Sequence, residues 1–272
     1  MPKYLVFMDL DGTLLMSDHK NISARNKATI ETLQKKDVMF YIATGRMYEL
    51  AKITRNLLNP EVRLITSNGS VFDGAKGREV IKFGREAVEK AYQITHQNKL
   101  PMMLFTPEKA YFTEKIPDFI AQNAGNFDAA FGYKEVTTLA ELKEIEDKVT
   151  NGVVLTRGNM DELDDARQKL EETGLMHLSS SGVDNIEMIP KNTDKGTAVQ
   201  QIQKEHHVDR AHTFVFGDGM NDVGMMKEAD LSVAMGNALK GVKQVANYVT
   251  DTNENDGIAV FLDKYFAKHP LD

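Results

Sequence analysis

The sequence predicts an α/β fold: a doubly wound, Rossmann-like parallel-sheet core with an α+β domain inserted into it. Short segments that are apolar throughout alternate with helical patterns at both ends of the chain, as strands buried in a parallel sheet do. This alternation stops near Phe83 and returns at Asp194. A chain of 272 residues is long enough for two modest domains.

The first part of the chain alternates strands with helices. Tyr4–Met8 is an apolar segment that ends at the turn Asp-Leu-Asp-Gly-Thr, which predicts a buried strand stopped by a glycine. Ser23 is the expected N-cap of a helix, and leucines and isoleucines at helical spacing predict a second helix over residues 50–58. Two further apolar strands are predicted at Val38–Ala43 and Arg63–Thr66.

The middle of the chain mixes helices with less regular strands, which predicts a separate small α+β unit. The predicted helices are Glu86–Gln97, Leu139–Lys148 and Met160–Glu172. The predicted strands are Met102–Phe105, Ala110–Phe112, Val153–Thr156, Met176–Ser179 and Ile186–Ile189. We therefore assign residues 1–83 and 191–272 to the core and residues 84–190 to the inserted domain.

The last part of the chain returns to the core pattern. Asp194 is a good N-cap for a helix over Lys195–His206, and the strand Thr213–Phe216 leads into the turn Gly-Asp-Gly. The remaining predicted elements are the helix Asn221–Glu228, the strand Leu231–Ala234 and the helix Ala238–Ala246.

The composition excludes several classes of protein. The 33 lysines and arginines are outnumbered by 40 aspartates and glutamates, a formal net charge of -7, so we expect no nucleic-acid partner and no anionic membrane surface. The absence of cysteine excludes disulfides, cysteine-ligated zinc and a thiol nucleophile. No apolar run is long enough for a signal peptide or a spanning helix, so we expect a cytoplasmic protein.

Four polar clusters fall at the carboxyl edge of the predicted core sheet, where ligands of open α/β sheets bind. Their side chains are Asp9, Asp11, Thr44, Lys195, Asp218 and Asp222. Converging carboxylates repel one another unless a cation lies among them. An all-oxygen set without histidine is what Mg²⁺ prefers, so the sequence predicts a magnesium site.

The remaining polar groups at this edge suit a phosphate. Thr44 offers a hydroxyl, Gly45 offers a backbone N–H beside a helix N-terminus, and Lys195 supplies a positive charge. A carboxylate held between a metal ion and a lysine can attack phosphorus as a covalent nucleophile. A second carboxylate two residues away can protonate the leaving oxygen and later activate water. The pattern therefore predicts phosphoryl chemistry.

The chain resembles the haloacid dehalogenase superfamily in four motifs. These are Asp9-Leu10-Asp11-Gly12-Thr13, Thr44-Gly45-Arg46, Lys195-Gly196 and Gly217-Asp218-Gly219-Met220-Asn221-Asp222. Their order and spacing are similar to those of the Cof-type hydrolases, which carry a large α/β cap between the second and third motifs. Ser67-Asn68-Gly69 also fits that group, whereas Asn192-Thr193 stands where a glycine and an aliphatic residue are usual. The resemblance extends over essentially the whole chain.

The resemblance implies a magnesium-dependent phosphoric monoester hydrolase that acts on small phosphorylated metabolites, such as sugar phosphates, with the cap selecting the substrate. Asp9 is the implied nucleophile and a magnesium ligand. Asp11 is the implied acid/base and gives its backbone carbonyl to the ion. Asp218 is an implied direct magnesium ligand, and Asp222 is implied to lie behind the ligands without contacting the ion. The implied phosphate-binding groups are Thr44, Gly45, Lys195, Asn221 and the backbone at Leu10.

Some alternatives stay open on the sequence alone. A phosphomutase would use the same residues but return the phosphoryl group to a sugar, and a non-catalytic phosphate-binding regulatory protein would share the fold. Arg46 can reach substrate or have a structural role, and we favour the structural role. His206 and His207 lie at a polar helix end, where we expect a solvated pair and no metal site. The sequence predicts no particular oligomeric state.

Overall fold

The chain forms two compact units in the computed structural model, which describes residues 1–114, 133–180 and 183–271. The first unit comprises Met1–Arg46, Ala51–Glu79 and Asp194–Asp272. The second unit comprises Met47–Leu50 and Val80–Thr193. Within the described ranges, no helix is long and apolar enough to cross a membrane.

Strands and helices are numbered here in chain order over the described residues. The strands are β1 (Tyr4–Met8), β2 (Val38–Ala43), β3 (Arg63–Thr66), β4 (Val71–Gly74), β5 (Gly77–Val80), β6 (Met102–Phe105), β7 (Ala110–Phe112), β8 (Tyr133–Glu135), β9 (Asn151–Leu155), β10 (Met176–Ser179), β11 (Asn185–Pro190), β12 (Thr213–Gly217), β13 (Leu231–Ala234) and β14 (Tyr248–Val249). The α-helices are α1 (Ala24–Gln34), α2 (Tyr48–Arg55), α3 (Arg85–Gln97), α4 (Leu139–Lys143), α5 (Met160–Glu172), α6 (Lys195–His206), α7 (Val223–Met226), α8 (Lys240–Val245) and α9 (Gly257–Lys268).

The first unit is built on an eight-stranded sheet of order β14-β13-β12-β1-β2-β3-β4-β5. β1 pairs in parallel with β12 and β2, so that Leu5 lies opposite Thr213 on one side and Met39 on the other. β3 and β13 extend the parallel part, whereas β4 pairs antiparallel with β3. β1 and β12 are buried almost throughout and consist mainly of apolar residues, as strands covered on both faces do. The parallel order brings the carboxyl ends of β1, β2 and β12 to one edge.

The second unit is built on a six-stranded sheet of order β10-β11-β9-β6-β7-β8, in which β7 and β8 are parallel and the other pairs antiparallel. Apolar side chains of this sheet and of α3 and α5 form a single buried cluster. Its members include Val88, Ala91, Leu104, Val154, Leu163, Ala166, Leu170, Ile186 and Met188. The strands β6, β7 and β10 have the predicted bounds.

Several predicted elements are wrong in length. The predicted helix Leu139–Lys148 breaks after Lys143, because Val149 is already extended and accepts the backbone N–H of Phe83 at 2.8 Å. The predicted helix Asn221–Glu228 is reduced to a short turn followed by α7. The hairpin of β4 and β5 and the C-terminal helix α9 were not predicted. The predicted N-caps are confirmed: Ser23 accepts from the Asn26 N–H at 3.1 Å, and Asp194 from the Thr197 N–H at 2.7 Å.

Candidate active site

The carboxyl edge of the first unit's sheet carries the residues that the sequence singled out. Asp9 follows β1, and its N–H donates to the Phe216 carbonyl at 2.9 Å, so pairing between β1 and β12 fixes its position. The chain then forms an irregular helical turn over Leu10–Leu14. Gly12 has a φ of +81° there, and a Cβ at this position would lie 2.4 Å from an Asp218 carboxylate oxygen. Glycine is therefore required for the Asp9 and Asp218 segments to meet.

Lys195 joins two carboxylates in the interior of this site. Its ammonium donates to Asp9 Oδ1 at 2.6 Å and to Asp222 Oδ1 at 2.7 Å. Lys195 and Asp222 are fully buried, and Asp9 nearly so. Lys195 is the first residue of α6, whose N-terminus is fixed by the capping box between Asp194 and Thr197.

Burial and like charges perturb the titration of these groups. Desolvation and the neighbouring Asp222 charge raise the pKa of Asp9 well above its usual value, although Lys195 acts in the opposite direction. Burial alone would lower the pKa of Lys195, but the carboxylates of Asp222 and Asp9 outweigh it and raise that pKa. Burial, with the Asp222 charge adding to it, raises the pKa of Asp218 to about 6. Negative charge is therefore in excess at this edge of the sheet.

Both carboxylate oxygens of Asp222 accept hydrogen bonds from neighbouring groups of the protein. Its Oδ2 accepts the backbone N–H groups of Asp218 at 2.9 Å and Gly219 at 3.0 Å, while Oδ1 is used by Lys195. Asp218 in turn accepts a hydrogen bond from the Thr13 hydroxyl at 2.8 Å. Asp222 thus shapes the loop that presents Asp218 and orients the lysine at the same time.

Asp11 lies apart from this buried cluster and is held by a guanidinium group. Arg46 Nε donates to Asp11 Oδ2 at 3.0 Å, and Arg46 Nη2 donates to Asp11 Oδ1 at 2.5 Å. His19 Nδ1 lies 3.3 Å from Asp11 Oδ1. Arg46 therefore contacts a candidate catalytic group directly, a two-pronged geometry that a lysine cannot reproduce.

Besides Lys195, the predicted phosphate-binding residues lie on three segments of the site. Thr44 is buried after β2 and its N–H donates to the Ile65 carbonyl at 2.8 Å, while its hydroxyl accepts the Arg46 N–H at 3.2 Å. Gly45 follows at the start of the segment that leads to α2. Leu10 is buried beside Asp9, and Asn221 is partly exposed in the turn between β12 and α7.

The donor set at this edge fits a divalent cation with a preference for oxygen. Asp9, Asp218 and Asp222 each offer a carboxylate oxygen, and these atoms lie within 4.8 Å of one another. Burial is the main cause of the raised pKa values of Asp9 and Asp218 and the charge of Asp222 adds to it, so a cation among these carboxylates would favour their ionised forms. Because Asp222 is committed to Lys195 and to the backbone, Asp9 and Asp218 are the better placed ligands.

Other site residues were not found from the sequence. Thr13 holds Asp218, and Asn237 Nδ2 donates to the Gly12 carbonyl at 2.7 Å. Thr13 belongs to the first motif and could have been included, whereas no local pattern marks Asn237.

One prediction about the histidines is wrong. His206 is half-buried, with Nε2 lying 3.4 Å from both the Tyr41 hydroxyl and Arg63 Nη1, so it is only partly exposed to solvent, whereas His207 is exposed as predicted. The residues next to His206 in the sequence do not predict this contact, because its partners lie on β2 and β3.

Comparison with known proteins identifies the family. A family model for haloacid dehalogenase-like hydrolases matches residues 6–262. The chain belongs to this family. The resemblance in the motifs is thereby confirmed, and with it the prediction of a Cof-type phosphatase, a phosphoric monoester hydrolase with a Rossmann-like core.

Individual relatives match over nearly their whole length. The Bacillus subtilis 5-amino-6-(5-phospho-D-ribitylamino)uracil phosphatase YcsE is 30% identical, over 94% of this chain and 92% of the relative. YitU, a phosphatase of the same name and organism, is 29% identical over 97% of this chain and 98% of its own. The crystal structure of a haloacid dehalogenase-like hydrolase from Bacteroides thetaiotaomicron superposes with a TM-score of 0.81 at 25% identity, covering 97% of this chain and 99% of that one.

Proposed function

We propose that this protein is a Mg²⁺-dependent phosphatase of small phosphorylated metabolites that works through a phosphoryl group carried on Asp9. One observation carries the proposal. The Asp9 carboxylate lies 2.6 Å from the ammonium of a fully buried lysine, at the carboxyl edge of a parallel sheet and beside a second carboxylate, Asp218. A carboxylate buried among other charges is costly for folding, so its placement indicates chemistry.

In the first half of the reaction, an Asp9 oxygen attacks phosphorus and the bond from phosphorus to the ester oxygen breaks. Asp11 gives its proton to that oxygen as the alcohol leaves. Thr44 and Lys195 hold the phosphoryl oxygens, the ammonium offsetting their charge. When bound, Mg²⁺ would be held by Asp9, Asp218 and the Asp11 carbonyl, and it would supply further charge neutralisation to the phosphoryl oxygens.

In the second half, Asp11 removes a proton from water, and the water oxygen attacks phosphorus. The bond between phosphorus and the Asp9 oxygen breaks, which releases inorganic phosphate and restores the Asp9 carboxylate. Asp222 contacts no reacting atom in this scheme. It orients Lys195 and the loop of Asp218, and therefore positions two groups that act directly.

The proposed substrates are sugar and polyol phosphates. Two relatives bear the name of a phosphatase of a ribitylaminouracil phosphate, in which the phosphoryl group sits on a sugar-alcohol chain. We assign residues 84–190 the role of choosing the leaving group, because the phosphate-binding groups of the core are small and recognise only the phosphoryl end. The proposed compartment is the cytoplasm.

A phosphate-release assay with purified protein tests this function. A panel of sugar phosphates, polyol phosphates and nucleotides should give release in Mg²⁺ and none in EDTA. Asp218→Asn should raise the Mg²⁺ concentration needed for half-maximal activity at least ~10-fold, because a charged ligand is lost. Full activity in EDTA would contradict the metal assignment. Isomerisation of a sugar phosphate without phosphate release would identify a phosphomutase instead.

A further inference from the structure

The turn Ser67–Gly69, which follows β3, has an unusual backbone. The φ angles of Ser67, Asn68 and Gly69 are +52°, +51° and +99°, so three consecutive residues have positive φ. Glycine adopts such angles readily and asparagine tolerates them, whereas serine does so rarely. Among the described residues, Ser67 and Asn68 are the only adjacent non-glycine residues with positive φ. The turn is therefore strained.

The same turn is buried and incompletely hydrogen-bonded. Ser67 is 0% exposed and Asn68 is 3% exposed. Within the described part of the chain, the Ser67 hydroxyl has no hydrogen-bond partner. A left-handed serine and an unpaired buried hydroxyl both oppose folding. Strain of this kind persists where neighbouring structure imposes it, and it concentrates at functional sites.

On one side, the turn fixes the segment that carries Thr44. The Ser67 N–H donates to the Arg46 carbonyl at 2.9 Å, and the Asn68 N–H donates to the Thr44 carbonyl at 3.1 Å. The Asn68 amide group lies against Gly45, where a Cβ would be 3.3 Å from both its nitrogen and its oxygen. The backbone that presents the Thr44 hydroxyl and the Gly45 N–H is thus shaped by the turn.

On the other side, the turn touches the start of the helix that carries Lys195. A Cβ at Gly69 would lie 2.1 Å from the Asp194 carbonyl oxygen and 3.1 Å from the Lys195 backbone nitrogen. Only glycine can approach this peptide group so closely without displacing it, and the φ of Gly69 independently disfavours other residues. The N-terminus of α6 therefore rests directly on the turn.

We propose that the Ser67–Gly69 turn is a positioning element that sets the separation of Thr44 and Lys195, and with it the width of the phosphate-binding site. This inference rests on the proposed function, in which those two residues hold phosphoryl oxygens. Asn68 and Gly69 contact no reacting atom in this scheme. They act through the Thr44–Arg46 segment on one side and the Asp194–Lys195 peptide on the other.

The test compares Asn68→Gly with the parent. Glycine accepts the left-handed backbone, so the variant should fold, but it lacks the amide that packs on Gly45 and loosens the turn. We expect the inhibition constant of inorganic phosphate, measured with Mg²⁺ present, to rise ~10-fold and kcat/KM to fall ~10- to 100-fold, as small displacements of positioned groups do. The melting temperature should change little.

The matched control is Asp37→Gly, which makes the same kind of change at a left-handed residue, φ +62°, in the turn before β2. Its phosphate inhibition constant should equal that of the parent. Gly69→Ala tests the opposite side of the turn and should weaken phosphate binding further, because its Cβ must displace the Asp194 carbonyl.

The outcomes separate the inference from the function on which it rests. If the parent releases phosphate and Asn68→Gly matches it within ~2-fold in both constants, the positioning role is wrong and the phosphatase stands. If the parent releases no phosphate from any ester, the proposed function fails, and this inference fails with it.

Discussion

Both units of this protein bury apolar side chains, and the first unit also buries a cluster of charged side chains. At the edge of its parallel sheet the first unit buries Asp9, Lys195 and Asp222, whereas the central cluster of the second unit, between sheet and helices, is apolar. Buried charges contribute little net stability, while buried apolar side chains are the main stabilising term. The apolar cluster of the second unit stabilises the fold by packing, whereas the charged cluster of the first unit matches the proposed chemistry. Substitutions at the two places should accordingly have opposite consequences.

The largest expected effect follows Asp9→Asn. The amide keeps the shape but cannot attack phosphorus, so kcat should fall ~1,000-fold or more. The raised pKa of Asp9 means that the folded state disfavours its charge, so the melting temperature should not decrease. Steady-state kinetics and thermal unfolding on the same preparation measure both quantities. A variant that loses stability while keeping its turnover would reverse the comparison.

The counterpart in the second unit is Leu104→Ala. Leu104 is fully buried in the apolar cluster, and its truncation should lower the free energy of unfolding by about 2–5 kcal/mol. At a temperature where the variant remains folded, kcat should stay within ~2-fold of the parent, since the side chain packs in the apolar cluster of the second unit. Denaturant unfolding followed by circular dichroism gives the first number. A large fall in kcat for a fully folded variant would show that the apolar cluster affects turnover as well as stability.

Arg46→Ala tests whether Arg46 orients Asp11 at the edge of the first unit's sheet. Arg46 orients Asp11, the candidate proton donor, so kcat/KM should fall ~10-fold or more for an alkyl phosphate such as a sugar phosphate. p-Nitrophenyl phosphate, whose leaving group needs little protonation, should lose less than ~3-fold. Arg46→Lys should lie between the parent and the alanine variant, because lysine lacks the two-pronged geometry.

Arg25→Ala is the control for loss of an arginine. Arg25 forms an exposed ion pair with Asp263 at 3.1 Å. Its removal should leave kcat/KM unchanged for both substrates. Equal losses on both esters for Arg46→Ala would contradict a role through the proton donor and favour the purely structural role that the sequence suggested.

The smallest expected effect concerns pH. Burial and the charge of Arg63 lower the pKa of His206 from its usual 6.5, so the unfolded state binds a proton more readily than the folded state. Stability should therefore fall as pH drops from about 6.5 toward the folded-state pKa. His206→Gln should flatten the curve of unfolding free energy against pH in that window. An unchanged slope in His206→Gln would assign the pH dependence to other groups.

The sequence was sufficient for those parts of the structure that local patterns determine. Apolar strands ending in aspartates or threonine identified β1 and β2 and placed Asp9 and Thr44 at the edge of the sheet. It was insufficient where contacts join distant segments. Arg46 reaches Asp11 over 35 positions, and Asn237 reaches Gly12 over 225 positions. No periodicity or spacing encodes such pairs, because they depend on how strands are ordered in the sheet.

The prediction of secondary structure from the sequence failed in places for a similar reason. The residues of β5 are all exposed, so that strand has no apolar alternation to detect, and β14 is only two residues long. The break after α4 is imposed by the pairing of Phe83 with Val149, a contact between segments far apart in the chain. Tertiary pairing overrode local preference at each of these places.

The central claim, a phosphoryl group carried on Asp9, is tested most directly by trapping. The parent is mixed with substrate and Mg²⁺, quenched in acid within the first turnover, digested with trypsin and examined by mass spectrometry. The account predicts a phosphoryl group on the peptide that contains Asp9. Borohydride should reduce the aspartyl phosphate at position 9 to homoserine, and Asp9→Asn should give neither product. The account would be contradicted if the parent released phosphate rapidly while its quenched Asp9 peptide never carried a phosphoryl group and another residue carried it instead.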